Sequence, residues 1–301
     1  MEVSNKSQTA QTADSDILKG DKLYLQRALM ALPYLVRQAK AEEPIYYSDL
    51  AVELDMPNAR NLNYVLGAIG KALLDLGKRE NVNIPPIQCV VINKQTKLPG
   101  EGISWFINKS EYSELADFNR LSKKRKHLIV KRVLIDIASF TKWEWVLEQF
   151  GLKPLEIRIG DELERAKKIR GNGGESPFHL EFKNFVASNP NSIGLSAKLN
   201  KGQIEYILPS ADVIDIVFAD KNTIVGVEVK SRISDTADIL RGLFQCIKYK
   251  YLIEAEQIVN NKEPDSRIIL ALEGPLPTEL ISIKNILGIE VMDKIKQDNL
   301  Q

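Results

Sequence analysis

Apolar and polar positions repeat with two different periods along this chain, and the change falls a little past its middle. Residues 22–41 (KLYLQRALMALPYLVRQAKA) place Leu25, Leu29, Leu32 and Val36 three or four apart. That spacing keeps one helical face apolar, and Pro33 is a candidate kink. Residues 46–56 predict a second, short helix that Ser48 can cap. After the turn PNARN at 57–61, residues 62–79 predict a third. Two apolar runs, 87–92 and 103–107, read as strands joined by the loop NKQTKLPGEG at 93–102. Residues 110–170 are charged and helical in pattern.

Beyond 175, helical and strand patterns alternate, which predicts an α/β domain with a mixed central sheet. Ser176 is a candidate N-cap and Pro177 a first helical residue for a helix over 176–190, with Phe178, Phe182 and Phe185 as its buried stripe. Strands are expected at 192–196, 203–208, 213–219 and 223–230. A helix over 237–259 follows, then a strand at 267–272, a helix near 277–286 and a last strand at 288–292.

Three helices followed by a hairpin is the order of a winged helix-turn-helix, whose third helix enters the major groove of DNA. The contacts this predicts are Asn58, Arg60, Asn61, Asn63 and Lys71, with Lys94 and Lys97 on the wing. The chain then divides into a polar tail (1–20), a winged-helix DNA-binding domain (21–109), a helical linker (110–170) and the α/β domain (171–301). Gly-Asn-Gly-Gly at 171–174 marks the last boundary. The linker's basic run, KKRKHLIVKR at 123–132, can touch phosphates or stand as a solvated helix face.

Composition narrows the function. The net charge of +1 gives no global basic signal, so any polyanion must be met by local patches. Two cysteines and two histidines leave no material for a disulfide framework or a His/Cys metal centre. No run of 18 apolar residues exists and the N-terminal tail lacks a hydrophobic signal core. The expectation is a soluble, cytoplasmic, nucleoid-associated protein.

Candidate chemistry lies in the segment IVGVEVKSR at 224–232. Strand alternation puts Glu228 and Lys230 on one face, although the run around them reads as buried. Buried ionised groups pair or hold a metal. In DVIDIVFAD at 212–220, Asp215 also sits among apolar neighbours, thirteen residues before Glu228. A tight bend between the two strands would bring Asp215, Glu228 and Lys230 together. The bland alternative is a strand ion pair that only satisfies itself.

Asp215…Glu228-Val229-Lys230 resembles the signature of the PD-(D/E)XK nuclease superfamily, with Ile214 where the motif's name has proline. Gln245 and Tyr249, one turn apart on the next helix, resemble the Gln-X-X-X-Tyr element of its RecB-like branch. The resemblance covers about 175–293. It implies a restriction-endonuclease-like sheet and Mg²⁺, with Mn²⁺ able to substitute. Asp215, Glu228 and the Val229 carbonyl would be ligands, joined by an acidic residue of the first helix, Glu181 in preference to Glu175. Lys230 would orient or deprotonate the nucleophile or neutralise the oxyanion, and Gln245 and Tyr249 would steady the water or a phosphate.

The first domain resembles the DNA-binding domain of the alkylguanine-DNA alkyltransferases at Tyr47, Leu50-Ala51, Pro57, Ala59-Arg60 and residues 84–102. The family's nucleophilic cysteine falls at Ile87, with Cys89 two residues later, which implies a binding module and not a repair enzyme. The resulting expectation is a metal-dependent DNA endonuclease acting on double-stranded DNA in restriction or defence. A double-strand cut would need a homodimer or two sequential nicks. The alternatives are a DNA-binding regulator or scaffold whose nuclease-like domain does not cut, and a repair nuclease inside a larger complex.

Overall fold

Helix α1 (Leu23–Ala41) buries Leu25, Leu32 and Val36 of the stripe its spacing predicts, leaves Leu29 half-buried, and adds Ala28, Ala31 and Leu35. The structure, a computed structural model, describes residues 18, 20–107, 118–157, 159–168, 176–220 and 223–295. The chain forms two compact units, Met1–Glu156 and Ile157–Gln301. Apart from Leu18 and Gly20, the polar tail lies outside the described residues, as do Gly-Asn-Gly-Gly at 171–174 and Glu175.

In the first unit, α1 packs on α3 (Leu62–Glu80), with α2 (Tyr47–Glu53) between them in sequence. The expected wing is absent. Residues 87–90 form a 3-10 turn after Pro85-Pro86, and only Val91–Ile92 is extended, as β2. That strand pairs in parallel with β1 (Ile45–Tyr46). Ile103–Ile107 is a helix, α4, burying Ile103, Phe106 and Ile107. Those positions are i, i+3 and i+4, so the helical period prevails where a short apolar run was read as a strand.

Residues expected as a linker belong instead to the two units. Helices α5 (Lys123–Ser139) and α6 (Trp143–Gln149) bury Ile129, Val133, Ile137, Trp143 and Val146 in the first unit's core. Helix α7 (Gly160–Lys168) packs on the second unit's long helix α9 (Thr236–Val259) through Ala166. Apolar residues at helical spacing inside the charged pattern account for both dockings.

The second unit is mixed α/β. Its five-stranded sheet runs β3 (Gln203–Ile207), β4 (Val213–Asp220), β5 (Thr223–Lys230), β6 (Ser266–Leu272) and β7 (Glu290–Met292). The first two pairings are antiparallel and the last two parallel. Helix α8 (Pro177–Ser188) covers one face, with Phe182 and Val186 against Val225, Val227 and Val229. Helix α9 and α10 (Ile281–Leu287) cover the other. The expected strand at 192–196 is replaced by a 3-10 turn, Pro190–Ile193. Proline opens that turn and Gly194 closes it at φ 75°.

Candidate functional site

The register of β4 and β5 sets the site. Their paired positions run from Asp220↔Thr223 to Ile216↔Val227, so the next pair would be Asp215 and Glu228. There the ladder gives way to a side chain: the Val229 N–H donates to Asp215 Oδ2 at 2.9 Å. Strand β4 also rolls over at this point. Ile216 and Phe218 pack in the α8 layer, whereas Ile214 packs in the α9 layer. Its neighbour β3 does the same between Ile204 and Tyr206, around Glu205, which adopts φ 55°. A non-glycine residue in that region stores local strain. The roll leaves Asp215 where groups from both layers reach it.

Glu228 and Lys230 point from β5 toward α9, both buried, with Lys230 Nζ 3.2 Å from Glu228 Oε1. Lys230 Nζ also donates to Asp238 Oδ1, at 3.1 Å, in the first turn of α9. The helix has room for this lysine because residue 242 is glycine: a Cβ there would stand 2.9 Å from Lys230 Cε. On the other side, His179 Nε2 of α8 lies 3.5 Å from Asp215 Oδ1. Gln245 donates to the Tyr249 hydroxyl at 3.3 Å, and its own Oε1 is buried with no partner.

The two carboxylates respond oppositely to this environment. Burial first, and then the neighbouring Asp215 charge, push Glu228 up to about 8. Burial also works to raise Asp215, but hydrogen bonds from His179 and the Val229 N–H, with the nearby Lys230 charge, outweigh it and hold Asp215 below the usual carboxylate value. Burial would lower Lys230, yet Glu228 and Asp238 together raise it, so its ammonium persists. Burial raises the Tyr249 hydroxyl. Around the one ammonium stand three carboxyl groups, Asp215 and Glu228 driven in opposite directions by their surroundings and Asp238 paired with Lys230 from α9.

A hard divalent cation fits that shortage, because it would replace the proton between two oxygen ligands. Among the described residues, however, no group of three His, Cys, Asp or Glu is spaced to hold a metal ion. Glu181, the expected third ligand, is exposed. Helix α8 buries Phe182, Lys183, Val186 and Ala187, so its inner face is turned from the Phe178–Phe182–Phe185 stripe, and His179 reaches Asp215 instead. Lys183 pairs with Glu205 at 3.1 Å. Val229 enters the site through its N–H. Arg232 is bound to Glu273 and lies over the Phe178 ring.

Asp238 and Gly242 were missed by motif reasoning. Their signals were the Asp235 N-cap, with Asp238 three residues on, and a lone glycine inside a helix.

In the first unit, Asn58, Arg60, Asn61, Asn63 and Lys71 are all exposed along the start and outer side of α3. Asn58 is committed in part to capping, accepting from the Arg60 N–H. Lys94 and Lys97 fold back on Tyr46, with Nζ to ring-centre distances of 5.8 and 4.5 Å. The loop that carries them also reaches α5, where His127 Nε2 contacts the Thr96 carbonyl at 3.1 Å. Lys123, Lys124, Arg125, Lys131 and Arg132 of α5 are exposed.

Between α3 and residues 99–106 lies a cavity of about 380 Å³, walled by Leu66, Gly67, Ile103 and Phe106. Tyr47, Asn63 and Gln88 line it with polar atoms.

The chain matches no protein-family model, no curated protein and no solved structure.

Proposed function

We propose that the protein is a metal-dependent DNA nuclease of restriction-endonuclease-like architecture, with a DNA-docking first unit. The observation that carries this reading is the convergence of Asp215, Glu228 and Lys230 at the point where the β4–β5 ladder ends.

A bound Mg²⁺, or Mn²⁺ in its place, would supply an acidified water and positive charge beside the phosphoryl oxygens. Asp215 and Glu228 are the carboxylates that would hold it, Glu228 releasing its proton. His179 and the Val229 N–H fix the orientation of Asp215. Lys230 presents an ammonium to the oxygens on which charge develops. Gln245 donates to the Tyr249 hydroxyl and keeps a buried Oε1 without a partner, an acceptor that a turn of the amide would offer to the attacking water.

For the first unit, the basic face of α5 and the 93–102 loop offer a track for phosphates, which a duplex of any sequence would satisfy. The cavity opens from the same loop at Pro99, Gly100, Glu101 and Gly102, and provides a place for one base of the docked DNA. One site cuts one strand, so double-strand cleavage would call for two copies or two nicks.

A DNA-binding protein that does not cut is favoured by one observation, the lack of a third metal ligand among the described residues. Incubating plasmid and linear DNA with the protein and Mg²⁺ or Mn²⁺ decides between them. Cutting that needs the metal and disappears in Asp215→Asn and Lys230→Ala supports the nuclease. DNA binding without cutting by the wild type, in either metal, sinks it.

A further inference from the structure

Both ladders of β4 pass over Asp215. Strand β3 pairs with β4 at Ile204↔Ile216 and Tyr206↔Ile214, and the pairing with β5 stops at Ile216↔Val227. Across from Asp215, between those two β3 pairs, stands Glu205 at φ 55°. One residue in the left-handed region turns the strand over, which puts Ile204 in the α8 layer and Tyr206 in the α9 layer. Glycine takes that backbone at no steric cost and glutamate does not, so whatever keeps a glutamate here acts through its side chain.

That side chain meets Lys183, whose Nζ donates to Glu205 Oε1 at 3.1 Å. The lysine is 2% exposed, and a buried ammonium demands a carboxylate. Glu205 is itself exposed, so the demand comes from the helix side of the pair. Lys183 follows His179 by four residues on α8, one turn along the same face. These two turns meet two residues that stand opposite each other in β3 and β4: His179 lies 3.5 Å from Asp215, and Lys183 binds Glu205. The helix thereby grips the roll from one side, while the Val229 N–H holds Asp215 from the other.

We propose that Glu205 is a positioning residue for Asp215. Its carboxylate, tied to α8 through Lys183, keeps the left-handed backbone in place. The roll that results sets the Asp215 carboxylate between His179 and the Val229 N–H. Glu205 acts through the strand pair and not as a ligand, in the way that outer partners orient the groups that bind a metal. That Asp215 serves a metal ion rests on the nuclease reading above; the tie and its effect on the Asp215 hydrogen bond do not.

The test compares three variants of the full chain with wild type. Glu205→Gly and Glu205→Asn both accept the left-handed backbone, but glycine has no side chain and asparagine falls a methylene short of the lysine. Glu205→Gln keeps the length and an oxygen for Lys183. Deuterium exchange of the Val229 amide, followed by NMR in chelator, reports its bond to Asp215 without metal or DNA. The Leu270 amide in β6 is the control for the sheet as a whole. Affinity for Mn²⁺ is read by electron paramagnetic resonance. In Glu205→Gly and Glu205→Asn, Val229 exchange should quicken and Mn²⁺ affinity should fall, each by about tenfold, with Leu270 unchanged. Glu205→Gln should keep wild-type values of both. Faster Val229 exchange in a chain that binds no Mn²⁺ even as wild type would support the positioning role and count against the nuclease reading. Wild-type Val229 exchange in Glu205→Gly and Glu205→Asn overturns the proposal and leaves the nuclease reading intact. Equal acceleration at Val229 and Leu270, the mark of a merely structural loss, overturns it too, as does a loss in Glu205→Gln as large as that in Glu205→Gly.

Discussion

Asp238 and Lys230 meet across the junction between β5 and α9, with the lysine Nζ 3.1 Å from the Asp238 carboxylate. Glu228 stands at 3.2 Å from the same ammonium. The two carboxylates differ in what else is asked of them. If Glu228 turns to a metal ion, Asp238 is the partner left to Lys230. Its side chain is 35% exposed, so it retains contact with water and needs no cation of its own. Asp238→Asn should therefore lower single-turnover cleavage by about tenfold, the usual scale for loosening a charge-assisted contact. Manganese affinity, read by electron paramagnetic resonance, should stay unchanged. Equal losses in rate and in metal affinity would make Asp238 a ligand and not a positioning residue.

Gly242 makes a related demand on the same lysine. A Cβ there meets Lys230 Cε at 2.9 Å and Leu270 Cδ1 at 3.0 Å. The lysine stem is flexible and can move aside, and alanine raises helix propensity by about 0.8–1 kcal/mol over glycine. Gly242→Ala should accordingly leave thermal stability within a few degrees of wild type while displacing the ammonium and reducing cleavage. A variant with full activity would show that the room beneath α9 is not what places Lys230.

Glu228 also gives the fold a pH dependence with a defined sign. Its value rises from 4.5 in a free chain to about 8 in the folded protein, through burial and then the Asp215 charge. The folded state thus binds a proton more tightly than the unfolded state. Its stabilising contribution is whole below about 4.5 and is lost as pH climbs toward 8, with a slope of at most about 1.4 kcal/mol per pH unit. The lowered Asp215 acts below this window and the raised Lys230 above it. Urea unfolding of the full chain in chelator should show stability falling across this range relative to Glu228→Gln. Parallel curves for the two proteins would refute the assignment.

The sheet and its charges were legible because β5 violates its own pattern: Glu228 and Lys230 interrupt an apolar run, and period-two alternation then fixes their common face. The orientation of α8 was not. Three phenylalanines suggested a stripe, but Phe178 is 40% exposed and Lys183 is buried. A long lysine stem can line a core when its head finds a carboxylate, here Glu205, and no periodicity rule anticipates that. The wing failed for a different reason. Short apolar runs such as 87–92 and 103–107 fit a strand or a buried helical turn equally well, and the choice depends on neighbours distant in sequence. Asp238 was hidden because its link to Lys230 crosses a strand–helix junction that spacing alone does not close.

Gln88 offers a stability test that needs no ligand. An amide buried with both polar atoms unpaired is a standing cost, about 1–3 kcal/mol for a group of this kind. Leucine has nearly the same volume and no polar atom, and Gln88 already lies against the Phe106 ring and the glycine face of α3. Gln88→Leu should therefore raise stability by roughly 1–2 kcal/mol, seen as a higher urea midpoint with an unchanged slope. A neutral or destabilising Gln88→Leu would mean that the amide is already satisfied in solution, by water in the cavity.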